Sequence, residues 1–178
     1  MGKRITDREF FERKAEEVAQ DLLGKIICRK EDDGFVIKCR ITVTEAYPTN
    51  DSVNDNERAK KNGKSTVQSL NGGVLYVKKH RDGYRFDIVA GKEGDSESVL
   101  IRGLDAYDEG PMISAYALNI NCDLNGIDLT SVDSIVWIED DNSTVIPNEP
   151  TKRVLGEKAN IESVNKLLRY SIKEIKYN

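Results

Sequence analysis

One histidine, His80, and three cysteines, Cys28, Cys39 and Cys122, are all the imidazole and thiol groups that the 178 residues offer a metal. A single imidazole excludes any zinc site that needs several histidines, and no cysteine pair has C-x-x-C spacing. Three widely spaced thiols make no disulfide framework. Cys28 and Cys39 fall in strand-like segments and read as buried, reduced side chains. Long apolar runs are also missing: none approaches the roughly 20 residues that a membrane-spanning helix needs. The opening Met1-Gly2-Lys3-Arg4-Ile5-Thr6 leads straight into an amphipathic pattern, without the apolar stretch of a secretory leader. The residues imply no metal, no cofactor and no membrane. A cytoplasmic location is the expectation.

What is present suits a globular α+β chain. Hydrophobic residues make up 38% of the sequence, enough for a substantial core in one domain spanning 1–178. The formal charge of −4 argues against a polyanionic partner when taken globally, but its distribution does not. Between Glu57 and Arg85, eight basic side chains (Arg58, Lys60, Lys61, Lys64, Lys78, Lys79, Arg81, Arg85) face two acids, Glu57 and Asp82. Acids gather instead at 31–33, 87–109 and 139–141. Such segregation can make one positive face on an acidic protein; equally, charge runs can be solvated loops.

Thr6 and Glu9 have capping-box spacing, and Phe11, Ala15, Val18, Ala19 and Leu22 recur at helical intervals, predicting a helix over 7–23 that stops at Gly24. Strands are expected at 26–29 and from Phe35 onward, where Phe35, Ile37, Cys39, Ile41 and Val43 alternate with Lys38, Arg40, Thr42 and Thr44. Continuing that alternation puts Glu45 on the apolar face. A carboxylate there must be paired, hydrogen-bonded or at the rim of a cleft; alternatively the strand ends at Thr44 and leaves Glu45 exposed. Pro48 holds Tyr47 extended and marks a change of course. A polar, basic loop with short helical turns covers 50–71. Strands at 74–79 and 84–90 form a hairpin around His80-Arg81-Asp82-Gly83. Further strands are expected at 99–104, 134–138 and 168–172, with short helices near 111–118 and 161–166.

Several strings carry a resemblance. Ala19-Gln20-Asp21-Leu22-Leu23-Gly24-Lys25, Thr44-Glu45-Ala46-Tyr47, Gly73-Val74-Leu75-Tyr76-Val77, Val99-Leu100-Ile101-Arg102-Gly103-Leu104, Gly110-Pro111 with Ala117-Leu118, and Leu168-Arg169-Tyr170 resemble, in order, the alkyladenine (3-methyladenine/hypoxanthine) DNA glycosylase family. The resemblance implies a curved antiparallel sheet bordered by helices, with a protruding β-hairpin. It implies a monofunctional N-glycosylase that flips a damaged nucleotide from double-stranded DNA and cuts its glycosidic bond, as a monomer without metal. By the same resemblance Glu45 is the catalytic carboxylate, activating water and stabilising oxocarbenium-like charge. Arg102 holds Glu45 ionised, contacts a phosphate, or is only a structural ion pair. Tyr47 is a wall of the base pocket or an ordinary core tyrosine.

Departures from the family pattern concentrate on base recognition. Asn56 replaces a histidine, Lys78 replaces the second aromatic wall while Tyr76 keeps its tyrosine, and Asp87 replaces a pocket asparagine. The hairpin is one residue shorter, and Arg81 falls near its wedge tyrosine. Contacts to DNA are expected from Arg58, Lys60, Lys61, Lys64, Lys79, His80 and Arg81. The rebuilt pocket leaves two readings: a glycosylase of altered substrate range, or a non-catalytic nucleic-acid or damage-binding protein on the same fold.

Overall fold

The computed structural model describes residues 2–60, 62–157 and 159–177. Among these, nine strands form an antiparallel sheet flanked by four short helices, an α+β fold. The strands are β1 (Lys3–Arg4), β2 (Ile26–Lys30), β3 (Val36–Tyr47), β4 (Leu75–His80), β5 (Gly83–Ala90), β6 (Glu97–Leu104), β7 (Val136–Asp140), β8 (Thr144–Pro147) and β9 (Arg169–Lys176). The helices are α1 (Ala15–Asp21), α2 (Asp55–Lys60), α3 (Pro111–Ala117) and α4 (Ile161–Asn165). The main order is β1-β7-β2-β3-β6-β5-β4, with β9 joining β3 and β8 joining β9. β3 is the hinge of this arrangement. Its first half pairs with β2, and its second half lies between β6 and β9.

The expected 7–23 helix is broken in two. Asp7, not Thr6, caps a 3-10 turn at Arg8–Phe10 by accepting from the Glu9 amide. The bond that would join Phe11 to Ala15 is replaced by tertiary partners. The Phe11 carbonyl accepts from Gly91 N–H at 3.0 Å, and Ala15 N–H donates to Glu97 Oε2 at 2.6 Å. Local periodicity therefore yields to groups distant in sequence. The late strands also shift: β7 runs to Asp140 and β9 to Lys176, while β1 and β8 were not legible. Their pairing is short, at the sheet margin, and leaves no apolar alternation. Cys28 and Cys39 are buried free thiols; burial, then the Glu139 charge, pushes the Cys28 thiol up to about 12.

A register irregularity in β3 decides which way its side chains face. Between Ile41 and Thr44 the pairing with β6 slips. Such bulges insert a residue and change the phase of the alternation. Cys39, Ile41 and Ala46 consequently join the main core beneath α1, and Thr44 Oγ1 donates to the Ala19 carbonyl at 2.8 Å. Val43, Glu45 and Tyr47 take the opposite face. Glu45 is thus not a charge within the α1 core, as unbroken alternation predicts. It faces the other side of the sheet.

At the far end of β3, Arg40 donates to Asp141 at 2.7 Å and to the Gly24 carbonyl at 2.6 Å. The Arg40 hydrogen bond holds the Asp141 carboxyl far below its ordinary 3.8, against a smaller upward push from burial. A carboxyl depressed by folding contributes stability above its unfolded pKa and loses it as pH falls toward the folded pKa. Urea titrations should therefore show stability declining below about pH 4. Asp141→Asn should remove part of that decline; an unchanged acid slope would exclude Asp141 as a contributor.

Candidate active site

Cross-strand pairing assembles the outer face of the sheet. Glu45 on β3 pairs with Leu100 on β6, Leu100 with Asp87 on β5, and Asp87 with Tyr76 on β4. Residues directly opposite in a ladder share a face, so these four form one row across the sheet. Two residues along each strand stand Tyr47, Arg102, Arg85 and Lys78 on the same face. Their alternates, Ala46, Ile101, Phe86, Ile88, Leu75 and Val77, fill the core behind.

Glu45 has no exposed surface. One carboxylate oxygen accepts from Tyr47 Oη at 3.1 Å and the other from Val154 N–H at 3.0 Å. Arg102 Nε is 3.5 Å from Glu45 Oε1 and donates to Glu109 Oε1 at 3.0 Å. Arg169 shares Glu109. Arg102 is therefore both a neighbour of the carboxylate and part of an Arg-Glu-Arg cluster. Burial, then the charges of Glu45 and Asp87, push the Tyr47 hydroxyl well above its ordinary range. It stays protonated and serves as a donor.

A cavity of about 640 Å³ opens over this face, lined by Tyr47, Lys78, Arg85 and Leu100 from the sheet. Ser52, Val53 and Asp55, the segment 154–157, and Ala159 and Asn160 contribute its other walls. The segment is anchored by Arg153, which donates to Asp51 Oδ2 at 2.6 Å and to the Ala46 carbonyl at 3.0 Å. Arg153 and Asp51 side chains are both completely buried. Burial pushes the Asp51 carboxyl up, but hydrogen bonding from Ser163 and the Arg153 charge outweigh it, leaving it below its ordinary value.

Lys78 Nζ lies 2.8 Å from both oxygens of Asp87 and 3.1 Å from Asp55. Ser98 Oγ also donates to Asp87 at 2.7 Å. Asp87 and Tyr76 stand behind Lys78 and do not line the large cavity. Asn56 is a correction to the expected pocket wall. It is wholly buried, its side-chain amide donating to Ser96 Oγ at 2.7 Å and its carbonyl accepting from Thr66 N–H at 3.0 Å. It ties the 50–71 loop together.

The candidate DNA-contacting residues fall in two places. Lys79 and Arg81 are exposed toward the β4–β5 hairpin tip, where the Arg81 side chain is 94% exposed. His80 is partly buried, and burial, then the Arg85 and Lys78 charges, lower its pKa. Lys60 and Lys64 are exposed in the loop around α2. A groove shared by Asp55, Thr66 and Lys78–His80 brings loop and hairpin together. Lys61 and the Arg58 side chain lie outside the described residues. Sequence reasoning missed Arg153, Asp51 and the Val154 amide. Arg153 is one cation among several in a basic tail, and a backbone donor leaves no mark in sequence.

The chain belongs to the methylpurine-DNA glycosylase family, whose model matches residues 9–110, more than half of it. Relatives named "Putative 3-methyladenine DNA glycosylase" include one from Natranaerobius thermophilus, 31% identical over 94% of this chain and 95% of its own length. One from Borrelia garinii subsp. bavariensis is 28% identical over 96% and 97%. A Clostridium botulinum relative is 35% identical over 65% of this chain, and the match spans only 57% of that protein.

Proposed function

We propose that the chain is a monofunctional DNA N-glycosylase acting as a monomer on double-stranded DNA that contains a modified purine. The damaged nucleotide turns out of the duplex into the 640 Å³ cavity. Glu45 orients and deprotonates a water that attacks the anomeric carbon. The C–N bond breaks, its electron pair leaves with the purine, and the carboxylate stabilises positive charge on the sugar. Tyr47 packs against the base, and Arg102 organises charge beside Glu45. The observation that supports this reading is the Glu45 carboxylate itself, hydrogen-bonded by Tyr47, which lines the cavity, with Arg102 Nε 3.5 Å away.

Because Glu45 is fully buried, water reaches it only after a local displacement of its cover. The same sealing favours the second reading, a damage-binding protein without catalysis. Incubation with duplexes carrying a panel of modified purines separates the two. Abasic product from any of them supports the enzyme, whereas salt-sensitive binding without base release supports the binding protein.

Phosphate contacts are assigned to Arg58, Lys60, Lys61, Lys64, Lys79 and Arg81, with His80 beside them on the hairpin. Converting Lys79 and Arg81 together to glutamate should weaken binding to all duplex sequences alike. It should also flatten the salt dependence by about one unit of slope per lost contact. Unaltered affinity and slope would remove the hairpin from the interface.

A further inference from the structure

We infer that the groove between the β4–β5 hairpin and the 50–71 loop holds a phosphate-binding site of its own, with Arg85 as its principal donor and Lys79 and His80 beside it. This goes beyond the glycosylase reading, since the site needs neither a damaged base nor its release. Arg85 is not among the phosphate contacts assigned above. It lines both the cavity and the groove, and so forms part of the wall between them. On the ladder it stands directly opposite Lys78, where like charges repel. Lys78 is compensated by Asp87 at 2.8 Å and Asp55 at 3.1 Å. Arg85 is not. It makes no ion pair among the described residues, and its Nε is buried without a hydrogen-bond partner there. An anion seated on Arg85 supplies the counter-charge that the fold withholds.

The groove encloses about 500 Å³ and carries more positive than negative charge. Lys78, Lys79 and Arg85 line it with one carboxylate, Asp55, which Lys78 already holds; Tyr76 and Thr66 complete the polar lining. With Asp87 counted behind Lys78, three cations meet two carboxylates. Arg81 and Asp82 at the hairpin tip pair with each other and add no net charge. Glu157 belongs to the cavity, not the groove, and makes no ion pair with Arg85. His80 registers the sign of this field. Burial, then the Arg85 and Lys78 charges, lower its pKa, and Asp55 and Asp87 oppose them with smaller effects. The imidazole is therefore mostly neutral near pH 7 and takes up a proton when an anion arrives. A guanidinium fork matches the oxygens of a phosphate group, and Lys79 adds a point charge beside it.

His80 is the one histidine of the chain, so imidazole NMR gives an unambiguous signal from the groove. Its pKa is measured in inorganic phosphate and in chloride of equal ionic strength. Phosphate should raise it by about half a unit or more relative to chloride. Arg85→Met should erase that increment. In chloride the same variant should itself raise the His80 pKa, because one of the cations that depress it is gone. Lys173→Gln, an exposed change on β9 and separated from the hairpin by β3 and β6, should leave the increment intact. Removing the like charge opposite Lys78 should leave stability in urea undiminished. Lys79→Met, at an exposed position, is a second arm that does not depend on that, and should weaken phosphate binding by about threefold. Undamaged duplex then identifies the source of the phosphate. If it is the nucleic-acid backbone, Arg85→Met lowers the salt slope of duplex binding by about one; an unchanged slope assigns the site to a soluble phosphate compound. No increment over chloride, or an increment that survives Arg85→Met, overturns the site, and neither result bears on base release.

Discussion

Glu45→Gln should lower single-turnover base release by about 100-fold or more, the contribution typical of general-base catalysis, with duplex affinity little changed. The variant is a clean probe because the site tolerates the amide. Glu45 accepts from Val154 N–H on one oxygen and from the Tyr47 hydroxyl on the other. Glutamine can keep its carbonyl toward Val154, while the hydroxyl, being both donor and acceptor, reverses to accept from the new NH2. Both hydrogen bonds survive, so thermal stability should stay close to that of the unaltered protein. Only the basic carboxylate and its charge beside Arg102 are lost. Phosphate contacts assigned to the hairpin and the α2 loop are untouched, so binding and cleavage should separate. Near-normal cleavage by a folded Glu45→Gln protein would sink the assignment of Glu45 even if the chain remained a glycosylase.

How far the site could be anticipated follows from the range of each interaction. Alternation in β4, β5 and β6 is intact, so Tyr76 with Lys78 and Arg85 with Asp87 mark their common face in the sequence itself. The family strings supplied Glu45, Tyr47 and Arg102, and the chain's family membership supports the expected α+β fold. Phase in β3 was beyond reach, since a bulge depends on pairing with β6 and leaves no signature in Ile41–Thr44. The same holds for the break after Phe10, which exists because Gly91 and Glu97 take over bonds that a helix would make internally. Asn56 illustrates the opposite failure. A matched position suggested a pocket wall, but its hydrogen bonds to Ser96 and Thr66 turn it into the loop.

Arg153→Met should be the most destabilising single change near the site, by about 3–5 kcal/mol, because it leaves a buried carboxylate without its cation. Arg153 and Asp51 have no exposed side-chain surface, and Lys166 Nζ, at 3.9 Å, is too distant to replace the 2.6 Å bond. Asp51 would keep Ser163 Oγ at 2.6 Å, which is not enough to offset its burial. The pH dependence gives the effect a distinctive sign. In the unaltered protein the depressed Asp51 carboxyl contributes stability above its unfolded pKa, near 3.8, and loses it as pH falls. Without Arg153, burial raises the carboxyl above that value, so acid relieves the variant while it penalises the parent. The stability gap measured in urea should narrow as pH falls toward 4 and below. Adding Asp51→Asn to Arg153→Met should recover part of the loss at neutral pH and abolish the narrowing. Base release should suffer more than stability alone predicts, since the segment that Arg153 anchors carries the Val154 amide onto Glu45. A gap that stays constant with pH would show that Asp51 is not the group left stranded.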